Sequence, residues 1–156
     1  MRISTRGRYA LRMMLDLARN GADNLPVSLS SVSERTGISH GYLEQLAPAL
    51  RARRLVRGIA GRHGGYRLAA MPSQITIRQI MEAAIGPVCV VDCVDDPESC
   101  PRADYCECRV VYALINQRVA DVLEEFTLED LVDPSWIRNE AGHAERQLVS
   151  MEDHGA

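Results

Sequence analysis

The chain has 156 residues, 46% of them apolar, 25% charged and only 4% aromatic, with a net charge of −3. That length buries one core with room for an oligomerisation element, and no apolar run approaches the roughly 20 residues that span a bilayer. A membrane-spanning role is excluded, and a soluble, cytoplasmic protein is expected. The net charge conceals a division. Residues 1–80 carry 13 arginines against four acids (Asp16, Asp23, Glu34, Glu44), a balance of +9, whereas residues 81–156 carry 5 arginines against 17 acids, a balance of −12. There is no lysine. A basic front half is the electrostatic footprint of a phosphate-backbone partner, and guanidinium grips phosphate or guanine in a fork.

In chain order, Tyr9, Ala10, Met13, Met14, Leu17 and Ala18 recur at helical spacing, so an amphipathic helix is predicted from about Arg6 to the Asn20-Gly21 stop. The stretch Ser28–Leu46 has the pattern of a helix-turn-helix, with Gly37 at the tight turn and Val32, Ile38, Leu43 and Leu46 at the packing positions. Ser31 with Glu34 is expected to form a capping box on the first of these helices, and Ser39 to cap the second. The second helix then presents Ser39, His40, Tyr42 and Gln45 to the major groove. Pro48 removes a backbone hydrogen bond, so a kink or break is expected there.

Leu55–Arg57 and Tyr66–Leu68 read as two short strands joined by a glycine-rich tip, a β-hairpin wing carrying Arg57, Arg62, His63 and Arg67. Its four glycines are expected to let the tip approach a DNA strand. A phosphate-cradling P-loop does not fit, because that loop enters a helix and carries Gly-Lys-Ser/Thr. A short helix over Ile77–Ile85 closes at Gly86-Pro87. From about Cys106 to Phe126 a breaker-free helix carries a wide apolar stripe of Val110, Val111, Leu114, Ile115, Val119, Val122, Leu123 and Phe126. Such a stripe is expected to pack against a second copy and pair two DNA-reading heads across a two-fold axis, the logic of palindromic operators. Thr127–Leu131 is a capped final turn, and the tail beyond Trp136 reads as disordered.

All five cysteines fall within twenty residues: Cys89, Cys93, Cys100, Cys106 and Cys108. Pro97 and Pro101 keep the span from closing into one helix, so a loop is able to turn several thiolates inward. Such soft ligands suit an iron–sulfur cluster, zinc or copper(I). Clustering argues against scattered core cysteines, the odd count and reducing compartment argue against disulfides, and the absence of C-x2-C knuckles argues against structural zinc. An iron–sulfur cluster ranks first on spacing, with zinc and redox thiols still open. No C-x2-C pair or accompanying catalytic His and Asp set points to an enzyme.

Met1–Ala10, Gly37–Leu46, Gly64–Leu68, the cysteines Cys93, Cys100 and Cys106, and Thr127–Leu131 together resemble the bacterial winged-helix regulators that include IscR, NsrR and RirA, over residues 1–133 and most of all the IscR-like members. The resemblance implies a homodimeric transcription factor on double-stranded DNA in which those three cysteines ligate a 2Fe–2S or 4Fe–4S cluster. It implies control of cluster assembly or of iron and sulfur metabolism, with nitric-oxide or thiol-redox sensing as the alternative. It also implies that Tyr42, Glu44, Gln45 and Arg62 face DNA. IscR carries a histidine where this chain has Arg109, and NsrR an aspartate where it has Arg8. The fourth ligand is therefore expected from elsewhere, with Cys108 and Cys89 as the thiol candidates, Cys108 ahead because it shares a helix start with Cys106, and Glu107 or Asp92 as oxygen donors. The expected fold is mainly α with a small β-hairpin wing: a winged helix-turn-helix domain over 1–86, the cysteine loop over 87–108, the dimerisation helix and cap over 109–133, and the tail over 134–156. The expected DNA-contacting set is Arg2, Arg8, Tyr9, Ser39, His40, Tyr42, Glu44, Gln45, Arg51, Arg57, Arg62 and His63.

Overall fold

The computed structural model describes residues 3–21, 25–133 and 135. Arg2 and the expected tail disorder lie outside the described residues.

Helix α1 (Thr5–Asn20) begins at Ser4, whose hydroxyl accepts from the Gly7 N–H at 3.1 Å, and it buries Ala10, Met13, Met14 and Leu17. Helix α2 (Leu29–Thr36) starts earlier than the Ser31–Glu34 box predicts: its cap is Ser28, which accepts from the Ser31 N–H at 3.1 Å. The reason is tertiary. Val27 exchanges two backbone hydrogen bonds of 2.8 Å with Tyr66 of the wing, which delivers the chain into the helix at Leu29. Gly37 ends α2 at φ 71°, where a side chain would be strained, and its N–H donates to the Ser33 carbonyl.

Helix α3 (His40–Ala52) is capped by Ser39 as expected, but it does not break at Pro48. Pro48 and Glu44 are exposed, so the carbonyl that loses its partner faces water. Leu43, Leu46, Ala47 and Leu50 are buried on the opposite side and hold the helix through the proline. Strands β1 (Val56–Ile59) and β2 (Gly65–Leu68) pair antiparallel, Val56 opposite Leu68 and Arg57 opposite Arg67. The hairpin is shifted from its expected bounds because Leu55 is a core residue, its N–H on the Leu50 carbonyl. The glycines of the wing have two different uses. A Cβ on Gly65, at φ 157°, would lie 2.3 Å from the Val27 carbonyl oxygen and one on Gly64 2.2 Å from that of Ile59, whereas Gly61 faces open space. Gly64 therefore serves packing within the wing and Gly65 the close approach of the wing to Val27.

Helix α4 (Ile77–Ile85) carries a capping box from Thr76 and Gln79 and packs against α1, α3 and the later long helix. A short helix α5 (Asp92–Asp95) and single turns at Pro97–Ser99 and Ala103–Tyr105 make up the cysteine segment. Helix α6 (Glu107–Glu125) follows, and α7 (Leu128–Val132) is capped by Thr127 and Asp130. The chain then returns to the front half. The Ile77 N–H donates to the Phe126 carbonyl and the Leu128 N–H to the Ile75 carbonyl, and Leu128 is fully buried among core residues from α1 to α4. Helix α6 is anchored in the head at one end, but Val110, Val111, Leu114 and Val122 remain 50–65% exposed along it. No described helix is long and apolar enough to cross a membrane.

Candidate nucleic-acid interface and cysteine loop

The start of α3 stands clear of the core. Ser39, His40, Glu44 and Gln45 are exposed, and Tyr42 is half-buried. Tyr42 is held by Tyr9 of α1, the rings meeting edge to face with centroids 5.2 Å apart, a geometry that orients a ring without burying its hydroxyl. The His40 Nδ1 lies 3.7 Å from a Glu44 carboxylate oxygen one turn on, both side chains solvated. Arg8, exposed on α1, donates to the Thr5 hydroxyl at 3.2 Å.

At the wing tip Arg62 and His63 are exposed and share a shallow groove with Ser28 and Ser31 at the start of α2 and Arg35 in its last turn. Arg35 is a residue that sequence reasoning missed. It makes a bidentate pair with Asp16 of α1 at 2.7 and 2.8 Å, tying α1 to α2 across 19 residues that carry no local signal of it. That hydrogen bond and the Asp16 charge, with a further contribution from Glu34, hold the guanidinium above its ordinary pKa against desolvation. Arg51 and Arg57 lie elsewhere. They line a second groove with Arg54, where α3 ends and the wing begins. The structure thus brings Tyr9, Ser39, His40, Tyr42, Glu44 and Gln45 to the start of α3, and places Arg51 and Arg57 toward its other end.

The five cysteines are free thiols, and they differ in exposure: Cys93, Cys100 and Cys106 are half-buried, Cys89 and Cys108 exposed. Among the described residues no three His, Cys, Asp or Glu side chains converge tightly enough to hold a metal ion. The cysteine loop is nevertheless braced to α6. The Arg109 Nε–H donates to the Cys93 carbonyl at 2.8 Å, and the Val90 N–H donates to the Asn116 side-chain oxygen at 3.0 Å. Cys106 is the N-cap of α6, in extended conformation, so it stands outside the regular helix that holds Cys108. It makes no side-chain capping bond, which leaves N–H groups at the helix start for a negatively charged neighbour. Beside it lies an apolar groove of about 630 Å³ formed by Val94, Ala103, Tyr105, Val110 and Leu114. The donor set, three partly shielded sulfurs on one loop, has the chemistry an iron–sulfur cluster requires. Bringing the sulfurs together requires the loop to rearrange.

Residues 3–134 match the Rrf2 family, described as an iron-dependent transcriptional regulator. The chain is 38% identical over 131 residues to the HTH-type transcriptional regulator CymR of Bacillus subtilis, covering 84% of this chain and 89% of that protein. It is 36% identical over 141 residues to the HTH-type transcriptional regulator IscR of Pectobacterium atrosepticum, covering 90% and 85%. The fold is similar to the solved structure of CymR, the global cysteine regulator of B. subtilis (TM-score 0.69, 37% identity, 85% and 96% of the two chains), and to T. potens IscR (TM-score 0.68, 32% identity, 85% and 86%). With the hairpin wing, the helix-turn-helix and these similarities together, the chain belongs to the Rrf2 family of winged-helix transcriptional regulators.

Proposed function

We propose that this regulator acts as a homodimer on a palindromic operator and that an iron–sulfur cluster on Cys93, Cys100 and Cys106 sets its affinity for that operator. The observation that carries the reading is the split among the thiols: the three half-buried cysteines lie on a loop braced to α6, and α6 runs from that loop into the core of the DNA-reading head. Cys108 is the proposed fourth ligand and Cys89 the alternative. When bound, a cluster supplies iron charge that offsets the thiolates and a bonding state that responds to oxidants and iron supply. Without that offset the loop carries Asp92, Asp95, Asp96, Glu98, Asp104 and Glu107 against few cations, and mutual repulsion loosens it from Arg109 and Asn116. The brace at the start of α6 is then lost and the spacing of the two heads changes, so the effect on DNA affinity depends on the operator. At the head, Gln45 suits adenine and Glu44 the cytosine amino group, while Ser39, His40 and Tyr42 lie at the same end of α3.

Thiol-redox sensing is the second reading. It is favoured by the two exposed free thiols, Cys89 and Cys108. Iron, sulfide and zinc content with a visible spectrum of protein purified without air separates the two. Cys93→Ala, Cys100→Ala and Cys106→Ala are each expected to lose the chromophore and to share one altered DNA-binding behaviour. Of Cys89→Ala and Cys108→Ala, at most one should lower cluster content markedly. Full iron and sulfide in all five single variants would remove this loop as the cluster site.

A further inference from the structure

The arginines of the head fall into two populations. Arg6, Arg19, Arg35 and Arg78 bind the protein itself, on the Ala84 carbonyl, the Leu131 carbonyl, Asp16 and Glu82. Arg51, Arg53, Arg54 and Arg57 gather where α3 ends and β1 begins, and none makes a side-chain hydrogen bond or ion pair with any described residue. Glu82, an acid that shares a groove with Arg53 and Arg54, is engaged by Arg78.

Two features of this patch oppose stability. Arg57 stands directly opposite Arg67 in the hairpin register, and like charges so placed repel. Arg54 has φ 57°, the one positive φ outside glycine among the described residues, in a region that glycine enters without steric cost. Arg51 and Arg53 complement the C-terminal dipole of α3, but Arg54 and Arg57 lie beyond the helix, where that effect fades. Arg51, Arg54 and Arg57 line one open groove of about 480 Å³. Exposed Glu44, Pro48 and Arg51, at i, i+4 and i+7, join the reading end of α3 to this groove along one face. Tyr42 and Arg51 are separated by about 14 Å of helix axis, more than the roughly 12 Å width of the major groove.

We propose that this patch is a second phosphate-binding track, holding the backbone of the duplex that flanks the half-site while the start of α3 and the wing tip read it. The inference rests on the DNA-binding reading above and extends it to a longer footprint. The fork of guanidinium matches phosphate, and continuity with the reading face of α3 favours duplex DNA over an acidic protein as the anion.

The test titrates full-length protein onto a sequence that the wild type selects from random duplexes, presented either trimmed to its half-sites or with about ten more base pairs, one helical turn, on each side. Wild type is expected to bind the flanked duplex about tenfold more tightly, and Arg51→Ala/Arg54→Gly/Arg57→Ala to bind both alike, with a salt slope lower by about 3 per protomer on the flanked duplex only. Arg54→Gly alone separates charge from structure. It should raise the melting temperature by relieving the backbone and still weaken flanked-duplex binding about threefold. A lower melting temperature would make Arg54 structural and overturn the proposal. Equal affinity of wild type and triple variant for the flanked duplex overturns it and leaves the patch to an acidic protein. An equal loss on both duplexes overturns it by assigning these arginines to the half-site. A wild type that selects no sequence at all overturns the DNA-binding reading and this proposal with it.

Discussion

Asp16 is the one buried charged side chain among the described residues, at 8% exposure, and its carboxylate accepts from both Arg35 and Asn20. The partners are unequal, because the Arg35 side chain is 39% exposed. Removing Arg35 strands a buried carboxylate, whereas removing Asp16 leaves a cation that water reaches. Arg35→Ala is therefore expected to cost about 2–3 kcal/mol and Asp16→Ala about 1–2 kcal/mol, discounted for the solvated guanidinium. Urea unfolding checks the order, and the reverse order would place the desolvation penalty elsewhere. The pair's pH behaviour follows from its sign. A raised arginine pKa contributes stability that is fully present below the unfolded value and lost only as pH rises through the folded one, so the guanidinium's contribution does not change through the neutral range. At this scale local chemistry was readable where the signal itself is local: Ser39, Gly37 and Thr127 act as expected. Ser31 was misread as a cap because the start of α2 is decided by Val27 pairing with Tyr66, 39 residues away.

Among the elements, the wing and α6 bear most of the proposed function. Arg62 is exposed at the wing tip with no described side-chain partner, so its charge is available to a phosphate or the narrow minor groove. Arg62→Ala is expected to weaken operator binding and lower the salt slope by about 1 per protomer, whereas Arg138→Ala, in the acidic tail, should change neither. Equal effects from the two would remove the wing from the interface. The helix predicted from the breaker-free apolar stripe of residues 106–126 is present as α6, because a helical period uninterrupted by glycine or proline needs no distant partner to declare itself. Pro48 illustrates the opposite case. Its propensity argues for a kink or a break, and four buried neighbours on one face of α3 keep the helix continuous despite the lost hydrogen bond.

For the whole molecule, the exposed apolar stripe of α6 is the feature that a single copy leaves uncovered. With Leu114 62% and Val110 65% exposed, covering it by the same helix of a second subunit removes apolar surface from water and sets two heads at a defined spacing. Leu114→Asp/Val122→Asp is expected to sediment as a monomer that binds single half-sites weakly and the two-half-site operator no better. A variant that still sediments as a dimer would move the interface off this helix. The same helix spans about 28 Å, with the cysteine loop at one end and the buried Leu128 segment just beyond the other. Events at the loop have a rigid element through which to reach the head.

By itself the sequence determined the segments and their chemistry. Helical periodicity, the Gly37 turn, the glycine-rich hairpin and the clustered cysteines all lie within short windows, each with its own physical signal, and the separation of positive from negative charge is a sum over each half of the chain. Only the tertiary structure decided how distant windows meet: Tyr9 against Tyr42, Asp16 on Arg35, Leu128 in the core of the head, and the cysteine loop braced to α6 by Arg109 without its sulfurs converging. Those contacts depend on which buried surfaces pair, a choice made among many residues at once, and no local pattern encodes it.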